Sequence, residues 1–290
     1  MSVTRVGLGR RVRAALVAGP LLALASLPAL AAGEAGVDER FRQAEQALHE
    51  GRVADGQRVL EGILKADPRN RDAANLLGNL ALAQGRAEEA GRYYDQALEA
   101  DPLFAETYNN LGVLALQRGQ VSQAMTMFQT AVRIDPARAE AWYNLGRVFL
   151  AAGKVAEAER HLRRAAEADP GHVMARQRLA VLLIGQKRGD EAVPLLEQAV
   201  QAAPEDPAVL FLLATVRDDQ GETGKARDLY LKARTAGSAN PRLPVYLAEA
   251  YLKLGQRAEA ARELQAVLKD PKADPKAREA AEALAKKVGP

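Results

Sequence analysis

Cysteine is absent from this 290-residue chain. That absence excludes a disulfide framework, a thiolate metal site and a lipid-modified N-terminal cysteine. Histidine is scarce: His49, His161 and His172 are the three. They fall at different positions of the repeat described below, so they gather into no metal-ligating set. Beyond the first 31 residues the serines are Ser122 and Ser238, and neither stands in a glycine-flanked nucleophile turn. No glycine loop of the phosphate-cradling kind occurs. Catalytic, cofactor-binding and metal-binding residues are therefore all read as none, and an enzyme is the remote alternative. Aromatics make up 4% beside abundant alanine, a composition for closely packed helices rather than strands.

A lasting excess of one charge is also missing. The whole chain carries 40 basic and 37 acidic groups. Arg5, Arg10, Arg11 and Arg13 lie in residues 1–31, which hold no acid. Without them 36 basic groups face 37 acidic ones, so the body has no polycationic surface and no nucleic-acid partner is expected.

What is there begins with a leader. A basic start, an apolar run from Ala14 to Leu30 and the small residues Ala29-Leu30-Ala31 form the pattern of a secretory signal cleaved after Ala31. Export to the periplasm follows, with no membrane insertion after cleavage. The rival is an uncleaved inner-membrane anchor. Gly19, Pro20 and Pro28 interrupt the run and its alanines make it weakly apolar, which argues against a stable span. Arg10-Arg11 is a twin arginine, but Val12-Arg13-Ala14 lacks the large apolar residues that follow such a pair.

After a linker at 32–36, one pattern recurs every 34 residues from 37 to 274, with repeats starting at 37, 71, 105, 139, 173, 207 and 241. Such a period marks a stack of helical units. The eighth position is small throughout (Ala44, Gly78, Gly112, Gly146, Ala180, Ala214, Ala248), as is the twentieth (Gly56, Ala90, Ala124, Ala158, Ala192, Ala226, Ala260). Between them stand large residues such as Leu77, Leu111 and Leu145 on the first helix and Tyr94, Phe128 and Leu162 on the second, at the 3-4-7 spacing of amphipathic helices. Gly51, Gly85, Gly119, Gly153, Gly221 and Gly255 sit where the first helix must end in a left-handed residue. Asp-Pro at 67–68, 101–102, 135–136 and 169–170 ends the second, because the residue before proline avoids the helical region.

Leu111-Gly112, Ala124, Phe128, Ala131 and Pro136, and again Trp142, Leu145-Gly146, Ala158, Leu162, Ala165 and Pro170, resemble the tetratricopeptide repeat. The resemblance covers 37–274. It implies an all-α fold, a right-handed α-solenoid of seven antiparallel helix pairs, with a capping helix at 275–290. A pentatricopeptide RNA-reading array is the runner-up; the Asp-Pro punctuation and the export pattern argue against it.

Departures from the pattern carry their own expectations. Arg40 and Gln43 replace apolar residues in the first repeat, as suits an outward-facing terminal unit. Lys187 stands where the turn glycine belongs, between Gly185 and Gly189, so a reshaped turn is expected there. Pro194 is read as early in its helix, where proline disturbs least. Arg217 occupies a small, buried position beside Asp218 and Asp219; the readings are an ion-paired arginine or a specific contact. The 173–240 region is expected to be the weak link.

In the resembling family the first helices line a concave groove. The matching positions here hold Asn75 and Asn79, Asn109 and Asn110, Tyr143, Asn144 and Arg147, then Gln177 and Arg178. Amides both donate and accept, so such a row suits an extended peptide backbone. The plainer alternative is that these asparagines bond helix to helix. The family's two-carboxylate clamp is incomplete: Asn144 and Arg178 match it, whereas Asn109, Val113 and Met174 occupy its other places. The expectation is a periplasmic adaptor for protein or peptide segments, serving envelope assembly, secretion or exopolysaccharide machinery. A self-associating structural array acting through its outer faces is the alternative.

Overall fold

The computed structural model describes residues 35–288, and the leader expected at 1–31 lies outside them. Every regular element among the described residues is an α-helix. The first of each pair are α1 (Ala35–His49), α3 (Arg71–Ala83), α5 (Ala105–Gln117), α7 (Ala139–Ala151), α9 (Val173–Gly185), α11 (Pro207–Asp219) and α13 (Leu243–Lys253). The second are α2 (Val53–Ala66), α4 (Ala87–Ala100), α6 (Val121–Ile134), α8 (Val155–Ala168), α10 (Gly189–Ala202), α12 (Thr223–Thr235) and α14 (Arg257–Lys269), and α15 (Pro275–Val288) follows. The second helices begin at 53, 87, 121, 155, 189, 223 and 257, each 34 residues after the last.

Local chemistry explains the boundaries. Each turn glycine from Gly51 to Gly255 has φ between 71° and 80°, a region closed to most side chains. At Gly85 the chain closes with Gly85 N–H to Leu82 O at 3.0 Å and Arg86 N–H to Ala81 O at 2.8 Å, paired bonds that satisfy the helix's last carbonyls. At the other break the Asp before Pro is a side-chain latch: Oδ1 of Asp67, Asp101, Asp135 and Asp169 accepts the N–H two residues on, at 2.7–3.0 Å. This Asx turn holds the C-cap extended.

The Lys187 turn is not reshaped. Lys187 itself adopts φ 62°, and its bonds to Ile184 O and from Arg188 N–H to Leu183 O, both 2.9 Å, reproduce those of the glycine turns. The closing bonds and the helix pair they join override the lysine's local preference. Pro194 is the sixth residue of α10 and lies inside it, past the first turn, so it removes one internal hydrogen bond. Arg217 is ion-paired, with Glu197 and with Glu222 at 3.1 Å. Between α12 and α13 a further left-handed glycine, Gly237 (φ 80°), ends the helix. As a result α13 starts at Leu243, later than the 34-residue step predicts.

The described residues divide into two compact units, unit 1 ending at His161 and unit 2 beginning at Leu162. In unit 1, Phe41, Leu60, Ile63, Leu77 and Leu80 form one core cluster, and Ala81, Ala90, Tyr94 and Leu114 form the next. Truncating one such leucine to alanine costs roughly 2–5 kcal/mol. The helix-interior glycines serve this packing: a Cβ on Gly78 would lie 2.4 Å from the Tyr94 ring and one on Gly112 2.5 Å from the Phe128 ring. The close approach they permit is to an aromatic side chain on the second helix. In unit 2, Ala277, Ala281 and Leu284 of α15 are buried with Val245, Ala248 and Leu264, so α15 covers the last helix pair. Arg40 and Gln43 are exposed on α1.

Candidate peptide-binding face

The first helices of unit 1 are joined by side-chain hydrogen bonds running along one face. Arg147 Nη1 donates to Asn144 Oδ1 (3.3 Å), Asn144 Nδ2 to Asn109 Oδ1 (2.9 Å), and Asn109 Nδ2 to Asn110 Oδ1 (3.4 Å). Asn110 Nδ2 donates to Asn75 Oδ1 (3.0 Å), and Asn75 Nδ2 to Glu106 Oε1 (2.8 Å). Thr107 Oγ1 adds a second bond to Asn75 Oδ1 at 3.0 Å. One chain of amides thus links α7, α5 and α3.

Burial divides these residues. Asn75, Asn109 and Asn144 are 1%, 8% and 6% exposed, and a polar group that deeply enclosed needs its partners. Their amides are engaged in joining repeats, as the plainer reading of them held. Asn110 and Asn79 are half-buried and keep part of their surface open. Asn79 stands apart from the chain, accepting from the Tyr94 hydroxyl at 2.8 Å. Tyr143 is buried, with the Arg147 guanidinium 5.4 Å from its ring centroid, within cation–π range. Gln177, half-buried, and Arg178, exposed, lie on α9 in unit 2 and are not part of this chain.

Two members escaped the sequence reading. Thr107 is fully buried at a position where Ala73, Ala141 and Ala175 stand in sister repeats; a lone hydroxyl in an alanine column was its signal. Glu106, with Asp72 and Glu140 at the same repeat position, reads from sequence as ordinary helix-start acid. Burial raises the Glu106 carboxyl above the usual range; Arg138 and Asn75 oppose the rise, and Asp72 and Glu140 add to it. Arg138 lies 3.5 Å from Glu106.

His161 on α8 is stacked between Trp142 and Phe149, with ring centroids 5.5 and 5.0 Å away, and its Nδ1 is buried without a partner. Burial, then the Arg160 charge, lowers its pKa. Among the described residues no group of three or more His, Cys, Asp or Glu is placed to hold a metal ion, and no helix is long and apolar enough to cross a membrane.

Helix pairs at this period, closed by left-handed turns and Asp-Pro breaks, define the tetratricopeptide class of α-solenoid. The family model described as the cilia and flagella-associated protein 70 C-terminal domain matches residues 23–286, and the chain belongs to that tetratricopeptide-repeat family. No curated protein sequence matches. Among solved structures, one from the functional characterisation of Pseudomonas aeruginosa pilF is 22% identical with a TM-score of 0.63, covering 73% of this chain and 98% of its own. The APC/C hetero-tetramer Cut9–Hcn1 is 19% identical with a TM-score of 0.56; the match covers 96% of this chain and 53% of that one. MamA from Desulfovibrio magneticus RS-1 (residues 41 to the end) is 22% identical with a TM-score of 0.50, covering 62% and 96%. At these identities the likeness establishes the fold. Proteins of this repeat class act as interaction scaffolds.

Proposed function

We propose that the protein is a non-catalytic periplasmic adaptor that holds an extended segment of a partner protein on the first-helix face of unit 1, in the service of envelope assembly, secretion or exopolysaccharide machinery. The observation that carries the reading is the amide chain. It braces three successive first helices and leaves Asn110 and Asn79 half-open on the face it braces. Amides held in one orientation meet a peptide backbone with little further ordering cost. The periplasmic part rests on the leader pattern at 1–31.

Site-specific photocrosslinking in cells tests this. A crosslinker at position 79 or 110 is expected to capture the same partner, and one at the exposed Arg92 on the second helix α4 to capture none. Capture from position 92 alone would move function to the outer face and favour the self-associating array. The mature chain is expected to begin at Ala32, as read by intact mass.

A further inference from the structure

The residue before each first helix decides whether that helix starts with a side-chain cap. Asn70 Oδ1 accepts the Ala73 N–H at 3.0 Å, and Asp206 Oδ1 accepts those of Ala208 and Val209 at 2.8 and 3.0 Å. Asp274 caps α15 in the same way, through the Ala277 N–H at 2.9 Å. Phe104 and Arg138 supply no side-chain cap. The N–H groups of Thr107 and Ala141 turn instead to the carbonyl of that residue, at 3.1 and 3.2 Å.

His172 holds this place before α9. Its Nδ1 accepts the Ala175 N–H at 3.2 Å, and its own carbonyl shares the same hydrogen at 3.2 Å. An asparagine amide does not titrate and an aspartate does so near pH 4, whereas an imidazole does so at about pH 6.5. Nδ1 accepts only while it carries no hydrogen, so the capping ring is neutral and holds its proton on Nε2.

Two features oppose a second proton on the capping ring. A cation is unfavourable at a helix N-terminus. One turn on, Arg176 is 4% exposed, with Nε bonded to Gln198 of α10 at 3.0 Å and Nη1 buried without a partner. It makes no ion pair among the described residues, so no carboxylate offsets the added charge on that side. The half of α10 that carries Gln198 has one carboxylate, Glu197, and Arg217 engages it. Glu167 at the end of α8 and Asp169 in the break before His172 favour the proton, and Asp169 Oδ1 already accepts the Gly171 N–H at 2.7 Å.

We propose that His172 makes the start of α9 acid-sensitive: the neutral ring caps the helix, and the protonated ring releases the Ala175 N–H and lets the first turn fray. The released form binds the extra proton, so the cap is complete above about pH 6.5 and is lost as pH falls through that value. The starts of α5 and α7 form without a side-chain cap, so the change is fraying of one turn and not loss of the helix. Gln177 and Arg178 follow that turn directly, which brings the unit 2 part of the first-helix face under the same control.

Nuclear magnetic resonance on the full chain tests this. The His172 nitrogens should show the Nε2–H tautomer at pH 7.5. Amide exchange at Ala175 and Arg176, corrected for its intrinsic pH dependence, should rise roughly three- to fivefold between pH 7.5 and 5.5, while that of Ala73 stays level. His172→Asn should keep the pH 7.5 protection and abolish the rise, and His172→Ala should exchange fast at both pH values. An Nδ1–H tautomer, a level wild-type profile, or the same rise in His172→Asn would overturn the proposal. A rise that His161→Phe removes would overturn it too, by assigning the effect to the other half-buried histidine.

Discussion

Replacing Lys187 by glycine should stabilise the protein, an unusual outcome for removing a side chain. Lys187 is exposed and has φ 62°, whereas its six glycine counterparts sit at 71–80° with the same closing bonds. Holding a lysine in the left-handed region costs about 1–2 kcal/mol. Glycine removes that cost but widens the unfolded ensemble, which returns about 0.4–1 kcal/mol. The net expectation for Lys187→Gly is a gain of about 0.5–1 kcal/mol, felt first in α9 and α10. Native-state amide exchange reads it: protection of the α9–α10 amides should rise about two- to fivefold. The reciprocal Gly153→Lys, at a turn with φ 71°, should lose stability by a similar amount. If Lys187→Gly lowers protection, or Gly153→Lys is harmless, left-handed strain is not what distinguishes these turns.

The remaining expectations follow from the same packing. Gly112→Ala drives a methyl into the buried Phe128 ring and should cost about 1–2 kcal/mol in urea unfolding despite alanine's better helix propensity; adding Phe128→Leu should recover part of the loss. Asn75→Ala removes the acceptor of the Thr107 and Asn110 donors and takes from Glu106 the amide that donates to it, and should cost about 2–4 kcal/mol, whereas Asn79→Ala should cost less than half as much. His161 has a folded pKa below its unfolded value of about 6.5, so the unfolded chain takes up a proton first as pH falls. Stability should therefore be intact above pH 7 and decline as pH drops through 6.5 toward the lower folded value. His161→Phe should flatten that slope, and an unchanged slope would show that other groups set it.

Much of this architecture was legible because a helical repeat writes its packing once per period. The glycine that must be left-handed, the alanine that must be small and the Asp-Pro that must break the helix each recur as a column, and the structure uses each for the reason its chemistry gives. The misreadings arose where one repeat departs from its column. Lys187 was read through its own propensity, yet the bonds around it dictate its φ. The start of α13 was read from the period, although Gly237 had already ended α12. For the candidate site, sequence located the asparagines but not their partners. Thr107 and Glu106 come into contact with Asn75 across 31–32 residues of chain, and which amide faces inward depends on a rotation about each helix axis that spacing alone does not supply.

The amide chain has a direction. Every donor in it points from Arg147 toward Glu106, a cation at its head and a carboxylate at its foot. Turning one amide over would set oxygen against oxygen on one side and hydrogen against hydrogen on the other, so all its members share one orientation. The asparagine that continues it also moves, from the fifth place in the repeats of Asn75 and Asn109 to the sixth at Asn144. Units that look interchangeable by their glycines and alanines are therefore keyed to one order. Recombination can lengthen or shuffle such an array elsewhere, but exchanging the repeats at 71–104, 105–138 and 139–172 would leave buried amides facing the wrong neighbour.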